Sequence, residues 1–165
     1  MLLELARLLL FPSLMAFAAS SDLLTLTISN RVSLALAVGF LILAALCGLT
    51  PPTILWHLLT GLGVLTIGLV LFARGLVGGG DAKLAAVAAL WLGLDRLADY
   101  ALLSSLIGGA VTLAILAFRL MPLPAWLAND VCAAKLHQPD GGVPYGIALA
   151  AAALVIYPST NWMAF

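Results

Sequence analysis

Charge is what this sequence has least of. Asp, Glu, Lys and Arg make up 8% of its 165 residues, against about 25% in ordinary soluble domains. Seven basic residues balance seven acidic ones. They form no basic tract, so nothing in the charge pattern points to a nucleic-acid partner. Cysteine is nearly missing too: Cys47 and Cys132 stand far apart, with no C-x-x-C pair. That rules out a zinc ribbon or a dithiol redox motif on ligand number alone. Cys47, inside an apolar run, is expected to pack as a small hydrophobe. Missing as well are internal repeats, low-complexity segments and any hydrophilic block large enough to fold separately. Residues 1–165 therefore read as a single membrane domain.

What is present in excess is hydrocarbon, with 64% of residues hydrophobic. That exceeds what a globular core needs and matches an all-α polytopic membrane protein. A bilayer core takes roughly 20 apolar residues per helix, and about six candidate spans emerge: Leu2–Ser20, Val32–Leu49, Thr53–Ala73, Lys83–Leu94, Tyr100–Phe118 and Pro144–Tyr157. The fourth and sixth are short for a full crossing. The first carries Glu4 and Arg7 near its outer end, and Pro12 is placed to kink it. It has some features of a secretory signal, but Glu4 is mixed with Arg7 and no soluble domain follows, so it is expected to be retained as a helix. Between Arg119 and Val143, the stretch "AWLANDVCAAKL" has apolar residues at helical spacing and reads as a short helix lying on the cytoplasmic membrane surface.

If the spans alternate in direction, Arg31, Arg74, Lys83, Arg119 and Lys135 fall on one side, and Arg7 and Arg96 on the other. Basic residues in short loops favour the cytoplasm, which puts both termini on the outer side. The same alternation brings Asp22, at the end of the first span, and Asp81, at the start of the fourth, to the cytoplasmic face.

Asp81 lies in "GGGDAKL", Gly78 to Leu84. An aspartate there can simply cap a helix, with the glycines making the turn. It can also be a reactive carboxylate that Gly78, Gly79 and Gly80 let an extended substrate backbone approach. Asp22 alone likewise reads as a helix end at the water boundary. Together they meet the requirement of an aspartic hydrolase, which needs two carboxylates at one place. Two such charges about 4 Å apart repel by about 4 kcal/mol at an effective dielectric near 20. That separates their titrations by about 3 pKa units and leaves one shared proton near neutral pH.

The other polar groups have plainer readings. Lys83 fits a headgroup-reaching side chain. His57, with no partner ligand at i±3 or i±4, fits a hydrogen bond to a neighbouring helix better than a metal site. Asp95, Arg96 and Asp99 make a solvated turn. Gly61, Gly63 and Gly68 suit close helix packing. No G-K-[ST] ending follows the glycines, so a phosphate loop is excluded. No cofactor or metal is expected.

Three stretches carry a family resemblance. "GGGDAKL" resembles the G-x-G-D motif of the type IV prepilin peptidases, which are membrane aspartic proteases. "DLLTLTISN", Asp22 to Asn30, resembles that family's other catalytic stretch, and "GVPYGIALA", Gly142 to Ala150, the start of the last helix in its small members. The resemblance implies cleavage of the leader of prepilins and pseudopilins at the cytoplasmic (inner) membrane of a prokaryote. Asp22 and Asp81 would be the catalytic pair, and Gly78, Gly79, Gly80 and Lys83 would lie on the substrate side. The chain lacks the four-cysteine cytoplasmic region of the large members that also N-methylate. It resembles the small standalone peptidases of Flp-type (tight-adherence) pili, so no methyltransferase activity is expected. It departs from the family in the uncharged "LLTLT" after Asp22 and in Ser29, where Pro commonly stands. Presenilin-like proteases share G-x-G-D but pair it with Tyr-Asp, whereas Asp22 follows Ser21. The rival reading is a non-catalytic membrane subunit or small transporter component, its aspartates serving as caps or ion-path groups. Against it, no Asp, Glu, Lys or Arg lies mid-span.

Overall fold

The computed structural model describes residues 1–123, 130–138, 141–160 and 162. Among these the chain is all-helical. Seven α-helices follow in order: α1 (Leu2–Thr25), α2 (Asn30–Leu46), α3 (Pro51–Ala73), α4 (Gly79–Leu92), α5 (Leu97–Leu120), α6 (Val131–His137) and α7 (Tyr145–Ile156). A 3₁₀ turn at Leu94–Arg96 leads into α5, and another follows α7. Six of the seven correspond to the six apolar stretches of the sequence. Only three are long and apolar enough to cross a bilayer by themselves: Leu2–Thr25, Pro51–Ala73 and Leu94–Leu120.

The short helices differ from the long ones in where they sit. α4, with 14 residues, packs against α2, α3 and α7, and α7, with 12, against α1, α4 and α5. Their buried residues are mostly alanine, which lets backbones approach closely. These two form the inside of the bundle. α3 and α5, in contrast, turn leucines outward: Leu62 is 59% exposed and Leu113 69%. So broad an apolar exterior is unstable in water and natural in lipid. The chain is a membrane protein.

Two local devices position the candidate site. Pro51 and Pro52 start α3, where their missing N–H groups cost nothing. At its far end Gly75 takes a left-handed φ of 71°, and Leu76 N–H reaches back to the Leu71 carbonyl at 3.0 Å. That closes the helix and turns the chain into Gly78–Asp81. α3 then lies tightly on α4. A Cβ added at Gly68 would stand 2.9 Å from the Ala82 Cβ, and one at Gly61 3.0 Å from the Leu90 Cβ. Gly63 corrects the sequence expectation, because nothing lies within 4 Å of its position. It faces away from the seam.

The end of the bundle opposite Asp81 is closed by aromatic rings. Phe11, Phe40, Trp91, Tyr157 and Trp162 are buried together, with Phe11 and Tyr157 centroids 4.6 Å apart. Each polar tip finds a carbonyl: Trp91 Nε1 donates to Leu36 O at 3.0 Å, Trp162 Nε1 to Trp91 O at 2.9 Å, and Tyr157 OH to Arg7 O at 2.7 Å. His57 behaves as expected, its Nδ1 2.7 Å from the Leu90 carbonyl oxygen. Arg96 Nη2 donates to Ser159 O at this same end.

Of the expected surface helix, residues 125–129 lie outside the described residues. The remainder is α6, capped by the Asp130 carboxylate, which accepts from Ala133 N–H at 2.8 Å. α6 is docked over the end of α1: Lys135 Nζ donates to Thr25 O at 2.6 Å and Cys132 Sγ to Leu23 O at 3.4 Å. Arg119, from the end of α5, donates to the carbonyls of Leu136 and Gly141. Lys135 and Arg119 thus gather at the Asp22 end, as the alternation of spans requires.

Candidate active site

Asp22 sits in the last turn of α1 and is buried at 5% exposure. The sequence expectation ends the first span at Ser20; the helix runs on to Thr25, and hydroxyl groups bond around its end. Thr25 Oγ1 donates to Ser21 O at 2.7 Å, and Ser21 Oγ donates to Thr27 O at 3.1 Å. Leu26 then takes a left-handed φ of 55°, its N–H bonding Asp22 O at 2.8 Å. Such a conformation is uncommon for a residue with a side chain. It folds the connection back across the end of the bundle.

The Asp22 carboxylate meets α7. Gly146, in the first turn of that helix, donates its N–H to Asp22 Oδ2 at 2.7 Å. A Cβ at Gly146 would lie 2.9 Å from the Asp22 Cβ and 2.7 Å from Oδ2. Only glycine lets α7 come this close to the carboxylate.

Asp81 sits in the first turn of α4, outside the three long spans. The cap position of that helix belongs to Gly78, which has no side chain to cap with. Burial pushes the Asp81 carboxyl up to about 6, the Asp22 charge adds to the rise, and hydrogen bonding from the Gly78 backbone opposes it. Two residues far apart in the chain's first half are therefore electrostatic neighbours.

Both carboxylates line one open cavity of about 970 Å³. Gly78, Gly79 and Gly80 form part of its wall, with Thr27 and Ile28 from the connection after α1. Val64, Ile67 and Leu71 of α3 supply an apolar side, and Ser104 and Ser105 of α5 face it. Lys83 does not line the cavity; its Nζ donates to Asn30 Oδ1 at 2.8 Å. Among the described residues no three of His, Cys, Asp and Glu come together to hold a metal ion. The arrangement is two carboxylates, one of them titrating close to neutral pH, at the rim of an apolar trough.

Residues 9–113, nearly two thirds of the chain and both aspartates with it, match the model of the type IV leader peptidase family. The chain belongs to the type IV leader peptidase family. Membership makes it a protease and supports a prepilin-type leader peptidase function in general. No curated protein and no solved structure matches the chain.

The residue that sequence reasoning alone undervalues is Gly146. It lies beyond the matched segment, and its one signal is the Pro-Tyr-Gly stretch opening the last helix. The threonines of "LLTLT" are undervalued too: they read as an uncharged loop and fold as a hydroxyl network.

Proposed function

We propose that this protein is an aspartic endopeptidase that removes the leader of Flp-like prepilins and pseudopilins, with Asp22 and Asp81 as its catalytic pair. The observation that carries the reading is the shared cavity: the two carboxylates, distant in sequence, face one space beside a glycine wall. One carboxylate, ionised, takes a proton from water held between them. The water oxygen attacks the scissile carbonyl carbon, and the other carboxyl gives its proton to the carbonyl oxygen. Asp81, pushed up to about 6, can gain and lose a proton close to neutral pH, as an acid in that step must. Gly78, Gly79 and Gly80 leave the substrate backbone room beside it.

The bundle fits six crossings, the inner α4 and α7 being shielded by the longer helices. Lys83, Arg119 and Lys135 cluster at the aspartate end, which we assign to the cytoplasmic side on the bias of basic residues. The sequence holds two cysteines where the cytoplasmic region of the large, N-methylating members carries four, which favours hydrolysis without N-methylation.

The test is co-expression with a candidate Flp-type prepilin, following precursor size on a gel. Asp22→Asn and Asp81→Asn should each abolish the size shift while the protein still inserts in the membrane. Normal processing by both variants would return the aspartates to the role of helix-end groups in a non-catalytic subunit.

A further inference from the structure

The bond between Lys83 and Asn30 joins elements that flank both aspartates. Asn30 is the first residue of α2, and residues 26–29 are all that separates it from α1 and its Asp22. Ser29 caps α2 by accepting from Arg31 N–H at 3.3 Å, which sets Asn30 at the helix start. On the other side of Asp81, Gly80 lies beneath Ile28, where an added Cβ would stand 3.2 Å from the Ile28 Cβ. The connection is thus fastened to α4 on both sides of Asp81. One fastening is van der Waals contact; the other is a charge-assisted hydrogen bond from Lys83 Nζ at 2.8 Å.

We propose that Lys83 is a positioning residue: by holding Asn30 it pins the connection after α1 across the cavity and sets the spacing between Asp22 and Asp81. The proposal rests on the peptidase reading for its catalytic consequence, but the clamp itself is a matter of structure. It replaces the sequence expectation that Lys83 meets substrate. Thr27 and Ile28, which the clamp holds in place, line the cavity directly. The bond is partly open to water, so its loss should be modest rather than total.

Purified protein in detergent, acting on a synthetic prepilin peptide, separates the two roles. Lys83→Met and Asn30→Leu should each lower kcat roughly 10-fold with little change in KM. The double variant should be no worse than either single one, because both remove the same bond. Lys83→Arg and Asn30→Asp, which keep donor and acceptor, should recover most of the rate. A rise in KM at constant kcat for Lys83→Met, or wild-type kcat for Asn30→Leu, overturns the proposal. A second readout needs no catalysis. With Cys47 and Cys132 changed to Ala, the rate of maleimide labelling at Thr27→Cys should rise several-fold when Lys83→Met is added. An unchanged labelling rate sinks the clamp whatever the enzyme does. A raised labelling rate in a protein that never cleaves supports the clamp and removes the peptidase reading alone.

Discussion

Replacing Asp81 with Asn should make the folded protein more heat-stable while it stops cleaving. Keeping this carboxylate ionised is costly. Its pKa is pushed from an ordinary 3.8 to about 6 by burial and by the Asp22 charge. A rise of roughly two pH units corresponds to about 3 kcal/mol at 1.36 kcal/mol each. Asp81 is only half-buried at an open cavity, so solvent screening reduces that ceiling to about 1 kcal/mol. The hydrogen bond from the Gly78 backbone need not be forfeited, since an amide oxygen accepts it as a carboxylate does. The sign follows from proton counting. Between 3.8 and about 6 the folded state binds more protons than the unfolded one, so stability falls as pH rises through that window. Above it the full penalty remains. The substituted amide carries no charge and escapes it. A thermal scan in detergent at pH 7.5 should place Asp81→Asn a few degrees above the unsubstituted protein, taking roughly 2–4 °C per kcal/mol. The gap should shrink as pH falls from about 6 and vanish near 4. An ordinary helix cap predicts the opposite, because Asp at a helix start is stabilising when charged. No gain in melting temperature, or a gain indifferent to pH, would refute the costly ionisation of a buried Asp81 carboxyl.

The helices are legible in the sequence because hydrocarbon length is a local property. Each apolar run carries its own count, and the "TPP" that stops the second run is written in the chain. The meeting of Asp22 and Asp81 is legible for a different reason: alternation of spans is a rule of topology, and the basic residues supply its sign. What sequence alone does not show is where a helix faces another helix. Gly63 and Gly68 lie on the same helix, α3, and look alike in sequence. Only Gly68 touches Ala82, while Gly63 has no neighbour within 4 Å. Lys83 has the composition of a headgroup ligand and engages its ammonium with Asn30, 53 residues away. Gly146 gains its value only from the way α7 ends on Asp22. The short α4 and α7 read as incomplete crossings until their neighbours show that they are interior. Local hydropathy gives length; burial depends on partners.

Two further changes probe packing at the site and beneath it. Gly146→Ala should abolish processing, because its Cβ would stand 2.7 Å from Asp22 Oδ2 and force α7 away from the carboxylate. Near-normal cleavage by that variant, measured on the prepilin gel, would mean that the 2.7 Å bond from Gly146 N–H is dispensable. Beneath the site, Gly68 can be tested with Gly63 as its control. An alanine at position 68 meets the Ala82 Cβ at 2.9 Å and Cα at 3.2 Å, both close to the α4 backbone and unable to swing aside. Overpacking of that kind costs about 1–3 kcal/mol. At position 63 the added methyl enters open space, and replacing a mid-helix glycine gains about 0.5–1 kcal/mol through helix propensity. Gly63→Ala should therefore melt at or above the unsubstituted temperature in detergent, and Gly68→Ala below it. Because Ala82 adjoins Asp81, only Gly68→Ala should also slow processing. Equal effects from the two substitutions would mean that α3 is not seated on α4 at the place where the glycine wall of the cavity begins.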